Sequence, residues 1–321
     1  MKEFKITKND AGQRMDKFLT KAVPKLPKAL LYKYIRIKRI KLNGKRCEIS
    51  SRLCEGDVIE CYVSDEFFEA ENKRPEFMLA PSAIDVVYED ENILLINKPA
   101  GLLVHEGNDW CADTLIARIQ HYLYKKKEYD PAAENSFVPA LCNRIDRNTC
   151  GIVIAAKNAA TLRVLNDKIK ERELEKKYLC VVKGVPKRKS GVLEHFILKN
   201  EKTNTVEALA APAPGAKTAK TKYTVLTSHD GMSLVEAELL TGRTHQIRAQ
   251  FAAIGHPLIG DTKYGKANDG HGFTWQALCS YKLTFHFESD AEHLAYLDGR
   301  CFTVKDAWFL EKLGFSMPKE L

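Results

Sequence analysis

The chain contains 321 residues, of which 45% are hydrophobic and 29% charged, and it carries a formal net charge of +8 at pH 7. This length suits two domains, and the apolar fraction is sufficient for a core that needs no disulfide or metal. No apolar run approaches the roughly 20 residues that span a bilayer, and residues 1–6 lack the apolar core of a signal peptide. We therefore expect a soluble, cytoplasmic protein without a membrane partner.

The nine cysteines include no Cys-x-x-Cys pair, and their number is odd. This pattern argues against both a disulfide framework and a zinc site and fits a reducing compartment. His245 and His256 are eleven residues apart without nearby carboxylate ligands, so they do not predict a metal site. Since no Gly-rich phosphate-binding loop occurs either, we expect no cofactor and no metal.

The excess positive charge is concentrated in residues 1–64, which hold 16 Lys/Arg against 7 Asp/Glu. A compact basic segment predicts binding to a polyanion. Anionic lipid is the competing partner, but no long amphipathic helix with an aromatic-rich apolar face supports it. Apolar residues at 30, 31, 34, 35 and 37 predict a helix, and the Asn43-Gly44 pair after residues 40–42 predicts a β-hairpin. A further strand is predicted at 58–63.

This order of helix, basic corner, Asn-Gly turn and strand over residues 12–64 resembles the small RNA-binding domain of ribosomal protein S-four. The resemblance implies an N-terminal α/β domain at 1–64 whose cations contact RNA phosphates. These cations are Lys33, Arg36, Arg39 and Lys41. Lys38 stands where the pattern usually has Gly. Residues 65–81 are rich in Glu, Lys and Pro without periodicity and predict an exposed linker.

Residues 84–88 and 93–98 predict two strands joined by an acidic turn. Residues 88–105, which include Lys98-Pro99 and end at His105, resemble the segment that opens the catalytic domain of the RluA-type pseudouridine synthases. His105 has the chemistry of a general base, but its place in this segment favours a structural or RNA-contacting role. The resemblance implies a catalytic domain at 82–321, within which residues 113–124 and 159–170 predict helices.

Asp146 lies between Arg144 and Arg147 and is followed by an apolar strand. The arginines favour its ionised form, although an ordinary ion pair in a loop would show the same charge pattern. Residues 143–151 read Asn-Arg-Ile-Asp-Arg-Asn-Thr-Cys-Gly and are similar to the catalytic motif of the RluA-type family, whose aspartate is indispensable. Asn143 and Cys150 depart from that motif, which usually has His and Ser there.

Two later segments match the same family. Residues 177–184 resemble its second motif, whose tyrosine packs against the target base, and this implies that Tyr178 stacks on the extruded uracil. Residues 241–248, Thr-Gly-Arg-Thr-His-Gln-Ile-Arg, resemble a third motif, whose arginine pairs with the catalytic aspartate. This implies that Arg243 holds Asp146. Gln250 replaces the final His of the third motif.

Four further basic residues near these motifs are predicted to contact RNA. They are His105, Arg147, His245 and Arg248. The glycine turn that opens a helix carrying Arg, His and Arg is by its chemistry also a phosphate site. Arg144 is predicted to occupy the space of the extruded base or to contact a phosphate.

The resemblance spans nearly the whole chain and implies an RNA pseudouridine synthase. The implied fold is α+β, with a curved, mixed, mainly antiparallel sheet flanked by helices and loops and joined to the small N-terminal domain. In the reaction, the N-glycosidic bond of uridine breaks, the base rotates and it rejoins through carbon 5, while water is excluded. Asp146 would act as a nucleophile at carbon 1′ or as a base at carbon 2′. The expected substrate is large-subunit ribosomal RNA and the expected state is a monomer.

Two other classes of function remain open. Asn143, Cys150 and Gln250 are changes that a catalytically inactive ribosome-assembly factor on the same fold would show, although Asp146, Arg243 and Tyr178 persist. A glycosidase or nucleoside hydrolase that acts on small substrates is the third class, and it leaves the basic N-terminal segment unexplained.

Overall fold

A computed structural model describes residues 1–68, 75–107, 110–200, 202–203, 205–265 and 272–318. Over these residues the chain forms a small four-stranded sheet at its N-terminus and a large eleven-stranded sheet that holds most of the remainder. In the described ranges no helix has the length and apolar character needed to cross a membrane. The same ranges contain no group of three or more His, Cys, Asp or Glu side chains that could hold a metal ion.

The N-terminal module is an antiparallel sheet with two helices packed on it. Its elements are β1 (Lys2–Lys5), α1 (Met15–Ala22), α2 (Lys28–Arg36), β2 (Ile40–Leu42), β3 (Lys45–Arg46) and β4 (Val58–Cys61), with the strands in the order β1-β4-β2-β3. Phe18, Leu31 and Ile59 are almost completely buried in a separate apolar core. Asn43 and Gly44 both have positive φ, as a two-residue hairpin requires. The predicted helix and hairpin are therefore confirmed.

The N-terminal module is held against the rest of the chain by buried polar contacts. Asp10 is fully buried and accepts hydrogen bonds from the Ser136 hydroxyl at 2.6 Å and from the Asn135 side-chain amide at 2.8 Å. Asn9 accepts a further hydrogen bond from the backbone N–H of Ala159. An unpaired buried carboxylate is costly, so these donors fix the position of the module.

The segment predicted as an exposed linker, residues 65–81, is packed at both ends. Phe68 contacts the N-terminal core, and Phe77 is 9% exposed and lies against Tyr124 with ring centroids 5.9 Å apart. The prediction of an exposed tether is therefore wrong at these ends, because burial of the aromatic side chains outweighs the polar composition. Residues 69–74 of this segment lie outside the described residues.

The large sheet is mixed and mainly antiparallel, as predicted. Its strands are β5 (Val86–Glu89), β6 (Ile93–Lys98), β7 (Ala140–Leu141), β8 (Cys150–Ala156), β9 (Leu174–Lys183), β10 (Ser190–Asn200), β11 (Thr205–Leu209), β12 (Lys217–His229), β13 (Met232–Leu239), β14 (Leu278–Phe285) and β15 (Cys301–Thr303). The main order is β11-β10-β12-β13-β9-β14-β8-β6-β5, with β15 beside β14 and β7 beside β8. Among the described strands, β8 and β14 pair in parallel, and the other pairings are antiparallel.

In the described part of the chain, three α-helices pack against the large sheet. They are α3 (Leu115–Lys125), α4 (Ala159–Glu171) and α5 (Gln246–Ala253). The side chains of Thr114 and Asn158 accept hydrogen bonds from the first turns of α3 and α4, which satisfies N–H groups that have no partner within the helix. Leu165 of α4 lies in one apolar core, and Ile119 of α3 and Phe251 of α5 lie in a second. The two predicted helices are confirmed.

Strands β13, β9, β14 and β8 are neighbours in the sheet, and this adjacency brings the three sequence motifs together. The approach of β8 to β14 is so close that a Cβ on Gly151 would lie 2.2 Å from the carbonyl oxygen of Ser280. Gly151 also has a φ of +107°, which favours glycine. This glycine therefore fixes the start of β8, directly after the loop that carries Asp146.

Candidate active site

Asp146 lies on a tight turn that is closed by a hydrogen bond of 3.1 Å from the Thr149 N–H to the Asp146 carbonyl. The fully buried Lys98 supports this turn: its Nζ donates to the carbonyls of Arg147 at 2.8 Å and of Leu102 at 2.9 Å. Burial lowers the pKa of Lys98 to about 8. The Asp146 side chain itself is 26% exposed, so it is held in place and still open to a substrate.

Arg248 is the cation that holds Asp146. Its Nη1 donates to Asp146 Oδ2 at 2.8 Å, and its Nε and Nη2 donate to the two carboxylate oxygens of Asp261 at 2.7 and 2.9 Å. Burial lowers the pKa of Arg248, but Asp261 and Asp146 raise it by more, so that it lies above its ordinary value. The guanidinium is therefore a permanent positive charge between two carboxylates, fixed by the bidentate geometry of Asp261.

The prediction that Arg243 pairs with Asp146 is wrong. Arg243 lies before α5, where its Nε donates to the carbonyl of Thr218 on β12 at 3.0 Å. Arg248 lies in the first turns of α5 and contacts Asp146 instead. The third motif thus identified the correct segment but not the correct arginine. The side chain of Arg248 is 8% exposed and bonded to two carboxylates, and its predicted contact with RNA stays a prediction.

His245 lies beside the same carboxylate, with Nε2 3.8 Å from Asp146 Oδ2. Its Nδ1 is 2.6 Å from the hydroxyl of Tyr264, and that hydroxyl also accepts the N–H of Val206. Burial lowers the pKa of His245, and Asp146 opposes this shift only in part. A neutral imidazole is therefore expected at pH 7, and donation from Tyr264 to Nδ1 favours the tautomer with its proton on Nε2, toward Asp146.

Tyr178 lies on β9 opposite Ser280 of β14 and is 6% exposed. Burial raises the pKa of Tyr178 to about 12, and the negative charge of Asp146 contributes to this shift. The phenol is therefore neutral and close enough to the carboxylate to interact with it electrostatically. This placement is compatible with the predicted contact between the ring and a base at Asp146.

Arg144 and Arg147 are both exposed on either side of Asp146. The Nε of Arg147 donates to the carbonyl of Gly101 at 3.0 Å. Burial lowers the pKa of His105, and the positive charge of Arg144 lowers it further, so these two side chains are neighbours. Both arginines and His105 therefore lie at the rim of the site.

The four cations predicted to bind RNA in the N-terminal module lie at one basic corner. Lys33, Arg36 and Arg39 are exposed and Lys41 is half-buried. Arg39 lies over the ring of Tyr34 and Lys41 over the ring of Tyr62, at 5.7 and 5.1 Å from the centroids. No carboxylate pairs with any of these four cations among the described residues, so their charges are available to a polyanion.

The three residues that differ from the family motifs, Asn143, Gln250 and Cys150, contact other parts of the fold. Asn143 Oδ1 accepts the backbone N–H of Ile154 at 2.8 Å, which ties the Asp146 loop to β8. Gln250 is fully buried and donates to the carbonyls of Leu193 and Ala219. Cys150 is also buried. None of these contacts removes a partner of Asp146.

Sequence reasoning gave no role to Asp261 or Tyr264, although both lie in the segment that continues the third motif. Asp261 is 1% exposed and orients Arg248, and Tyr264 orients His245. A buried aspartate thirteen residues from its partner leaves no local pattern, so only the folded chain reveals the pair Asp261–Arg248. The assembled site is a partly exposed carboxylate held by a buried guanidinium, beside a neutral imidazole and a neutral phenol.

Comparison with known proteins shows the family to which the chain belongs. The family model described as RNA pseudouridylate synthase matches residues 92–253, which include Asp146, Tyr178 and Arg248. The chain belongs to this family. It is an RNA pseudouridine synthase of the RluA type, as the motifs predicted.

Relatives support this assignment over nearly the full length. An uncharacterized RNA pseudouridine synthase of Mycoplasma capricolum is 31% identical over 313 residues, covering 96% of this chain and 99% of that protein. Ribosomal large subunit pseudouridine synthase C of Vibrio cholerae is 33% identical over 264 residues, covering 81% and 79%. The solved structure of human RNA Pseudouridylate Synthase Domain Containing 4 has the same fold, with a TM-score of 0.58 and 23% identity over 73% of this chain and 95% of that one. The likeness of the N-terminal module to ribosomal protein S-four stays a prediction.

Proposed function

We propose that this enzyme converts specific uridines of large-subunit ribosomal RNA to pseudouridine, with Asp146 as the catalytic carboxylate. The observation that carries this proposal is the partly exposed Asp146 on a braced turn, with the buried Arg248 guanidinium 2.8 Å away. Relatives such as the Vibrio cholerae protein bear the name ribosomal large subunit pseudouridine synthase C. The unpaired cations of the N-terminal module supply the sequence-independent attraction that RNA phosphates require.

Asp146 would act on the ribose through its free oxygen. Among the described residues only its Oδ2 accepts hydrogen bonds, which leaves Oδ1 to attack carbon 1′ or to remove the proton from carbon 2′. Asp261 is not a second acid or base of the kind that paired-carboxylate glycosidases use, because both of its oxygens are bonded to Arg248. Its role is to position the arginine.

The target base must leave the RNA stack to reach Asp146, and unstacking costs a few kcal/mol. Stacking on an aromatic ring returns about 1–3 kcal/mol per base, and we assign this contact to Tyr178. Arg144, exposed beside the turn, would fill the space that the base vacates or contact a neighbouring phosphate. Arg147 and His105 would contact the backbone around the extruded nucleotide. Closure of RNA over the site would exclude water from the cleaved intermediate.

The test is a map of pseudouridine in ribosomal RNA from wild-type and deletion cells, followed by complementation. Wild-type protein and Asp85→Asn should restore the missing positions, whereas Asp146→Asn should not. Asp85 is a suitable control because it is an exposed aspartate of the same domain. Purified Asp146→Asn should bind the RNA fragment normally but release no tritium from carbon-5-labelled uridine.

Each part of the proposal can fail separately. Turnover by Asp146→Asn would contradict the assignment of the carboxylate. An unchanged pseudouridine map in the deletion cells would contradict ribosomal RNA as the substrate. If that unchanged map came with defective ribosome assembly, it would favour an assembly factor on the same fold.

A further inference from the structure

A cavity of about 550 Å³ opens beside the turn that carries Asp146. Its volume falls within the roughly 300–1,000 Å³ typical of sites for small organic groups. Arg147 and Asn148, the two residues that follow Asp146 in the chain, form part of its wall. Of the residues that line the cavity, the proposed function uses only Arg147, so the rest of the lining calls for a separate explanation.

The main aromatic surface of the cavity is Trp275, which is 42% exposed. Its ring lies directly on the backbone of Gly101, where a Cβ would come within 3.0 Å of the indole Cη2. Trp308 contacts the indole edge-on, with centroids 6.5 Å apart. These two contacts fix the orientation of the ring while much of its surface stays open. A fixed, exposed aromatic plane loses little conformational entropy when a second ring stacks on it.

The remaining lining is polar. Asp113 and Arg118 form a bidentate pair, with N–O distances of 2.6 and 2.7 Å. Arg147 bonds to the Gly101 carbonyl and has no carboxylate partner in the part of the chain that the structure describes. A lipid or other apolar ligand would have to desolvate the Asp113–Arg118 pair without replacing its hydration. A nucleobase instead offers a π face for the indole and donor and acceptor edges for polar side chains.

We propose that this cavity binds one nucleotide of the substrate RNA adjacent to the target uridine, with its base on Trp275 and its phosphate toward Arg147. The proposal rests on the proposed function, because it takes the strand that reaches Asp146 to be RNA. The continuity of the chain supports it: Arg147 and Asn148 connect Asp146 to the cavity wall, so the two binding places share one turn. Trp275 thereby contributes to the choice of the uridine by reading its neighbour.

Fluorescence tests the contact without knowledge of the target site. Short homopolymers of adenosine, cytidine, guanosine and uridine RNA are titrated into wild-type protein, Trp275→Phe and Trp110→Phe. Trp110 is the matched control because it is 69% exposed and does not line the cavity. We expect at least one homopolymer to quench wild type and Trp110→Phe, and the quenching to be lost in Trp275→Phe. Equal quenching in Trp275→Phe and wild type overturns the proposal.

A substrate scan then tests the role in turnover. Each nucleotide next to the mapped uridine is replaced by an abasic ribose, and KM and kcat are measured for wild type and Trp275→Ala. Loss of one stacked base should raise KM about 5- to 150-fold, with kcat little changed, and Trp275→Phe should recover part of the loss. At one flanking position, the increase in KM caused by the abasic ribose and the increase caused by Trp275→Ala should not add when the two are combined, since both changes remove the same contact.

The outcomes separate this proposal from the proposed function. Normal turnover with additive effects at every flanking position refutes the subsite and leaves the synthase activity standing. Absence of wild-type turnover on any ribosomal RNA refutes the proposed substrate, and the homopolymer titration still decides whether Trp275 binds a base.

Discussion

Replacement of Arg248 by Met tests which arginine holds Asp146, the proposed catalytic aspartate. The substitution keeps most of the side-chain volume but leaves Asp146 and the fully buried Asp261 without their shared cation. Removal of one partner of a buried ion pair costs about 3–5 kcal/mol. For a domain of this size, each kcal/mol lowers Tm by roughly 2–4 °C, so we expect a decrease of about 6–20 °C.

The matched control is Arg243→Met, in the same motif. Arg243 is half-buried and donates one hydrogen bond of 3.0 Å to a backbone carbonyl. A bond of this kind contributes about 1 kcal/mol, so its loss corresponds to a decrease in Tm of roughly 2–4 °C.

Arg248→Met should also abolish pseudouridine formation at temperatures at which the variant is folded, since Asp146 loses its only guanidinium contact among the described residues.

Calorimetry and tritium release from labelled RNA measure both effects. A second-site change sharpens the comparison: Asp261→Asn in the Arg248→Met background removes the orphaned buried charge and should recover part of the Tm, but not the activity. If Arg243→Met lowers Tm and activity as much as Arg248→Met does, the structural assignment of the pair is refuted.

Three further predictions concern other parts of the molecule. Because burial lowers the pKa of His245, the unfolded chain binds more protons than the folded chain just below pH 6.5, and the free energy of unfolding rises with pH there. The gain in Tm between about pH 5 and pH 7 should therefore be smaller in His245→Gln than in wild type. An equal gain in both proteins would contradict the lowered pKa of His245. Lys38 has a φ of +63°, a left-handed conformation that is unfavourable for a residue with a Cβ, so Lys38→Gly should raise the free energy of unfolding of the N-terminal module by about 1 kcal/mol. A lower free energy of unfolding in a denaturant titration would argue against strain at this position. Asp10→Ala should weaken the docking of the N-terminal module by about 1–3 kcal/mol, which should be measurable as faster proteolysis within residues 65–81. The control Asp57→Ala alters a turn inside the module and should leave the rate of that proteolysis unchanged.

Local patterns in the sequence predicted the elements of the fold accurately. The Asn43-Gly44 hairpin follows from turn chemistry, since two consecutive residues with positive φ are required there. The helices at 113–124 and 159–170 follow from apolar periodicity. The linker at 65–81 was mispredicted because its composition is polar, whereas its ends are decided by the burial of Phe68 and Phe77 against residues distant in sequence.

The sequence by itself determined the family, the α+β fold and the segments that meet at the site. It could do so because the three motifs are short contiguous runs whose residue types the chemistry requires. It also placed Asp146 and Tyr178 on elements that do become neighbours. Their catalytic roles stay predictions until Asp146→Asn and its control are measured.

Only the tertiary structure decided which side chains meet. Arg243 and Arg248 are five residues apart in one motif, and no local rule says which of them faces Asp146. The start of α5 at Gln246 and the buried carboxylate of Asp261 select Arg248, because a buried guanidinium is stable only where carboxylates compensate its charge. The cavity at Trp275 is likewise formed by segments more than 100 residues apart in the chain, which only the packing of the folded sheet brings together.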